Sequence, residues 1–91
     1  MKYIGIDLHS NKFNICIIYA NNTKKFLSFD LTRSSINGFL KYVDKETFIM
    51  VEASTNTFRF VERIQDNAKE VYVANTHILK LISVVRKPGN N

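Results

Sequence analysis

The chain has one cysteine, one proline, three glycines and no tryptophan in 91 residues. Each scarcity excludes something. A lone Cys16 can form neither a disulfide within the chain nor a Cys-rich zinc site, so a stapled secreted scaffold is ruled out and a reduced, cytoplasmic setting is expected. Three scattered glycines compose neither a G-x-x-x-x-G-K-[ST] nor a G-x-G-x-x-G loop, which removes the usual phosphate-cradling turns of nucleotide-binding enzymes. With 45% hydrophobic residues and a single proline, the chain is not a disordered or low-complexity tail. No apolar run reaches the roughly 18 residues of a membrane span. Met1-Lys2-Tyr3-Ile4-Gly5 leads into alternating sequence instead of a signal-peptide core, so no membrane partner is expected. Ser10, Ser54 and Ser83 have only His9 and His77 to draw on, at spacings that suggest no hydrolytic triad.

Acidic residues are also missing from two stretches. Thirteen Lys plus Arg against eight Asp plus Glu give a net charge of +5, and its distribution says more than its sum. Between Asp7 and Asp30 the chain has Lys12, Lys24 and Lys25 but no carboxylate; after Glu70 it has Lys80, Arg86 and Lys87 and again none. Such stretches suit the phosphate backbone of DNA, or of RNA, and equally serve as solvated surface. As a binding surface they predict weak, salt-sensitive, sequence-independent contact.

The residues that are present describe one domain over 1–91, since at this size roughly 60–65% of the unfolded surface can be buried in a single core. Ile4, Ile6 and Leu8 alternate with Tyr3, Gly5 and Asp7, and Phe13, Ile15, Ile17 and Tyr19 repeat that period. The polar Ser10-Asn11-Lys12 between them predicts an antiparallel hairpin. Asn21-Asn22-Thr23-Lys24 turns the chain into a third strand, Phe26 to Leu31. The period then becomes helical: Ile36, Phe39, Leu40 and Val43 stand at i, i+3, i+4 and i+7 behind Thr32, Ser34 and Ser35 as N-cap candidates. Thr47 to Val51 reads as a central strand covered on both faces. A second helix is expected from about Thr57 to Ala68, a fifth strand at Val71 to Ala74, and a third helix carrying Ile78, Leu81, Ile82 and Val85 before Lys87-Pro88-Gly89. The order β-β-β-α-β-α-β-α predicts an α/β fold: a mixed five-stranded sheet in the order 3-2-1-4-5, strand 2 antiparallel, with helices on its faces.

That order brings two carboxylates together. Asp7 is the sixth residue counted from Lys2, and Glu52 is the sixth counted from Thr47. On adjacent parallel strands in register, about 4.8 Å apart, both end at the carboxyl edge, where open α/β sheets bind ligands. Two close carboxylates repel unless a cation or proton relieves them, and oxygen donors suit Mg²⁺ or Mn²⁺. The plain alternative is that both acids cap strand ends. His9 shares Asp7's face, either as a metal or phosphate contact or as a polar strand end. Tyr3, Tyr19, Tyr42 and Tyr72 are read as core-edge residues rather than base-stacking platforms.

Gly5-Ile6-Asp7-Leu8-His9, Val51-Glu52-Ala53-Ser54 and Val73-Ala74-Asn75 ahead of a helix resemble the N-terminal DEDD domain of insertion-sequence 110 family transposases. That domain has a fold similar to the Holliday-junction resolvase RuvC and to ribonuclease H. The resemblance runs over essentially the whole chain through short motifs. It implies a metal-dependent DNA recombinase with four acidic residues, of which Asp7 matches the first and Glu52 the second. The other two belong to a Lys/Thr-Asp-x-x-Asp-Ala motif past the helix ending near Arg86, whereas this chain has no acid after Glu70, and it has Asn75-Thr76 where the family often has Asn-Pro. By that comparison the chain is an N-terminal fragment carrying half a metal site, binding Mg²⁺ or Mn²⁺ weakly and inactive alone. An exposed end after Arg86 would then favour homo-oligomers through uncovered apolar surface.

Three other readings remain open. A RuvC-like nuclease of another lineage shares the fold. A sugar-kinase or actin-like ATPase fragment shares Gly-Ile-Asp-Leu, but wants a glycine in the turn that His9-Ser10-Asn11 lacks. In a non-catalytic nucleic-acid-binding module the carboxylates are structural.

Overall fold

The computed structural model of the chain describes residues 1–52, 54, 56–75 and 80–85. Strands β1 (Lys2–Leu8), β2 (Lys12–Tyr19) and β3 (Lys24–Asp30) form an antiparallel meander, with Leu8 opposite Phe13 and Lys12 opposite Asp30. Asn22 takes a φ of 69° in the turn between β2 and β3, a left-handed conformation that asparagine tolerates better than most residues. Helix α1 (Arg33–Leu40) follows, its N-cap Thr32 accepting a hydrogen bond from the Ser35 backbone N–H at 3.2 Å. Strand β4 (Thr47–Glu52) returns parallel to β1. Helix α2 (Thr57–Ile64) and one 3₁₀ turn (Gln65–Asn67) then lead to β5 (Glu70–Asn75), parallel to β4. The α/β architecture and the order 3-2-1-4-5, with β2 antiparallel to both neighbours, are as expected.

Two features depart from the sequence reading. Lys80–Val85 is a sixth strand, β6, antiparallel to β5, where a helix was expected. Its apolar spacing fits a helix, yet Ile82, Val84 and Val85 are β-branched and β5 offers an unpaired edge, so strand geometry prevails. Residues 76–79 of that expected helix lie outside the described ones. The second departure concerns β4, where the cover given by the described residues lies on one face: Thr47, Ile49 and Val51 are buried, while Met50 is 50% exposed. Both helices pack on the same side. Phe39 of α1 and Phe60 of α2 reach the ring of Phe13 from β2 at centroid distances of 5.4 and 5.0 Å.

The core therefore fills one side of the sheet: Ile4, Ile6 and Leu8 of β1, alternate residues of β2, β4 and β5, and the inner faces of α1 and α2. Phe60, Val61, Ile64 and Ala68 are all buried, as their spacing predicts. Tyr3, Phe26 and Met50 stand exposed on the opposite side. Among the described residues no helix is long and apolar enough to cross a membrane.

The start of β4 is held by Asp44. Its carboxylate accepts from the Glu46 N–H at 2.8 Å and from the buried Thr47 hydroxyl at 3.0 Å. These hydrogen bonds, with a smaller contribution from the charge of Lys2, hold its carboxyl below the ordinary value of 3.8. A depressed folded-state value stabilises the fold above the unfolded value and is lost as pH falls through the folded one. Acid unfolding of wild type is thus expected to show a limb below that ordinary value which Asp44→Asn lacks, measured by circular dichroism between neutral pH and strong acid. Identical acid profiles would contradict it.

Candidate acidic site at the carboxyl edge of the sheet

Strands β1 and β4 run in register from Lys2 beside Thr47 to Ile6 beside Val51. One residue further, Asp7 and Glu52 leave the two strands at equal depth. In each strand the residue before the acid is buried, so both acids emerge on the sheet face away from the helices. They line one depression of about 390 Å³, together with Gly5, Asn14, Cys16 and Met50. A Cβ at Gly5 would meet no atom within 4 Å, so that glycine leaves the floor of the depression open rather than relieving a clash.

Each acid is positioned by its own strand end. Past Glu52, Thr57 is buried and its hydroxyl accepts from the Ser54 N–H at 2.6 Å while donating to the Glu52 carbonyl at 3.4 Å, which pins the loop into α2. Past Asp7, the His9 N–H donates to the Lys12 carbonyl at 2.8 Å and closes the hairpin. That turn returns the His9 ring to Asp7, Nε2 to Oδ2 at 2.9 Å, with both side chains about half exposed. The period-2 alternation of β1 was signal enough to put both on one face, but not to give the contact.

Asp7 and Glu52 are hard oxygen donors facing one depression, the right class for Mg²⁺ or Mn²⁺. Among the described residues no group of three or more His, Cys, Asp or Glu side chains gathers around a single point. The pair fits a divalent ion by chemistry, then, while water would have to complete its shell.

The basic residues do not form one patch. Lys12 begins β2 at the same edge as the acids, whereas Lys24 and Lys25 pair with Ile18 and Ile17 at the other end of the sheet. Six residues of extended strand separate Lys24 from Asp30, about 20 Å. The Lys25 ammonium sits 5.4 Å from the Tyr42 ring centroid, held by an aromatic face. Lys80 pairs with Asn75, so its backbone lies at the acidic edge, while Arg86 and Lys87 lie outside the described residues. The edge thus reads, across the sheet, Lys12, Asp7, Glu52, Asn75 and Lys80. No protein-family model matches the chain, and no curated protein matches it.

Proposed function

We propose that the chain is the N-terminal, acid-bearing domain of a metal-dependent DNA transposase or recombinase of the DEDD type, with a ribonuclease H-like sheet. The observation that carries this reading is the equal depth of Asp7 and Glu52 on adjacent parallel strands, opening into one depression. The strand order 3-2-1-4-5 supports it, since the same order supports the acidic sites of that fold. Asp7 and Glu52 would hold Mg²⁺ or Mn²⁺. Such an ion, when bound, polarises phosphodiester oxygens and acidifies a water molecule. His9 orients the Asp7 carboxylate through its ring nitrogen, which engages Oδ2 alone. Lys12, at the same edge as the acids, offsets their charge toward an approaching phosphate backbone. Two carboxylates alone hold an ion weakly, and the remaining acidic ligands belong to another part of the parent protein.

The short donor set favours a second reading, a non-catalytic nucleic-acid module whose acids are structural. Mn²⁺ separates the two. In NMR titrations of the 91-residue chain, the amides flanking Asp7 and Glu52 are expected to broaden first, at about millimolar concentration. Asp7→Asn is expected to abolish that selectivity. Broadening spread evenly over the surface, or unchanged in the variant, would favour the non-catalytic module.

A further inference from the structure

A second pocket, of about 270 Å³, opens at the same edge on the helix side of the sheet. Its floor is apolar, from Leu31, Ile36 and Phe60, and its rim carries Arg33, Arg59 and Arg63. No carboxylate lines it, and among the described residues none of the three guanidinium groups makes an ion pair. Both helices start here. Arg33 is the first residue of α1 and Arg59 lies in the first turn of α2, and neither helix has an acid in that turn. A cation at a helix N-terminus opposes the macrodipole, and Arg59 and Arg63, four apart on one helix, repel each other. Asn56, which precedes α2, makes no side-chain cap. Three choices that each work against the isolated fold converge on one concave site, and a bound anion would reverse all three.

We propose that Arg33, Arg59 and Arg63 form a phosphate-holding cradle that seats a nucleic-acid backbone at the sheet edge carrying Asp7 and Glu52. Guanidinium groups take phosphate oxygens through paired N–H donors. Continuity with the acids is given by Asn56, which lines both this pocket and a neighbouring one with His9, Ser10 and Ser54. A strand held in the cradle therefore leads over His9 to Asp7. The inference rests on the nucleic-acid reading above and adds the surface that holds the polymer.

The test is fluorescence anisotropy of a labelled DNA duplex against the 91-residue chain at several salt concentrations. Wild type is compared with Arg33→Gln/Arg59→Gln/Arg63→Gln and with Lys24→Gln/Lys25→Gln at the far end of the sheet. The arginine variant is expected to bind at least about tenfold more weakly and to lose two to three from the slope of log K against log salt, roughly one per phosphate contact. Its melting temperature should be unchanged or higher, because like charges have been removed. The lysine variant should lose less of both. Inorganic phosphate serves as a separate probe, and binding of phosphate without DNA would assign the pocket to a small anion and overturn the proposal. Wild-type affinity and slope in the arginine variant, or no DNA binding by wild type, would overturn it too. Manganese broadening at Asp7 is read independently, so the metal site can stand where the cradle falls.

Discussion

Phe13→Ala is expected to cost about 3–5 kcal/mol, a large part of the domain's stability. Domains of this size are stable by about 0.05–0.15 kcal/mol per residue, so one such loss takes a large share of the total. Phe13 is 0% exposed and is the hub of the aromatic cluster: Phe29 of β3 stacks on it at 5.3 Å, and Phe39 and Phe60 meet it edge-on. Phe26 provides the control, since it is 73% exposed, and Phe26→Ala should shift stability by no more than about 0.5 kcal/mol. Urea titration of the three proteins decides the matter. A Phe13→Ala midpoint no lower than that of Phe26→Ala would show that the two helices are not anchored through this ring.

The second large effect concerns the acids. The double variant Asp7→Asn/Glu52→Gln is expected to fold, with a melting temperature close to that of wild type, because Asn and Gln keep the shape of both side chains and neither acid belongs to the buried core. Wild type should in turn be stabilised by Mn²⁺. With a dissociation constant of about 1 mM, 10 mM ion contributes about 1.4 kcal/mol, which is roughly 5–10 °C for a domain of this length. In the double variant that response should vanish. A double variant that melts far below wild type would make the acids structural, and an undiminished Mn²⁺ response would put the ion elsewhere.

Much of this geometry was legible in the residues because strands carry their orientation in a period of two. Ile4, Ile6 and Leu8 must share a face, so Tyr3, Gly5 and Asp7 share the other, and counting from Lys2 and from Thr47 gave the equal depth of Asp7 and Glu52. The helical faces of Ile36 and Phe39, and of Phe60, Val61 and Ile64, followed from spacings of three and four. The same spacing failed at Lys80–Val85. There a short apolar run satisfied both periods, and the open edge of β5 decided between them. The apolar run of β4 likewise suggested cover on both faces, whereas both described helices lie on one.

Up to β5 the sequence by itself determined which residues form one strand or helix and which way each points, because those depend on neighbours a few bonds away. Charge is different. Lys12 and Lys24 look alike in an acid-free stretch, yet the hairpin places them at opposite ends of the sheet, one beside the acids and one about 20 Å away. Arg33 and Arg59 are separated by a strand and two connections, and only the packing of α1 and α2 on the same face brings them around one pocket. The contact of His9 with Asp7 likewise awaited the closing of the hairpin turn. Local periodicity wrote the elements; the meeting of charges at one edge came from the parallel return of the chain, since electrostatic partners are set by distance in space and not by distance along the backbone.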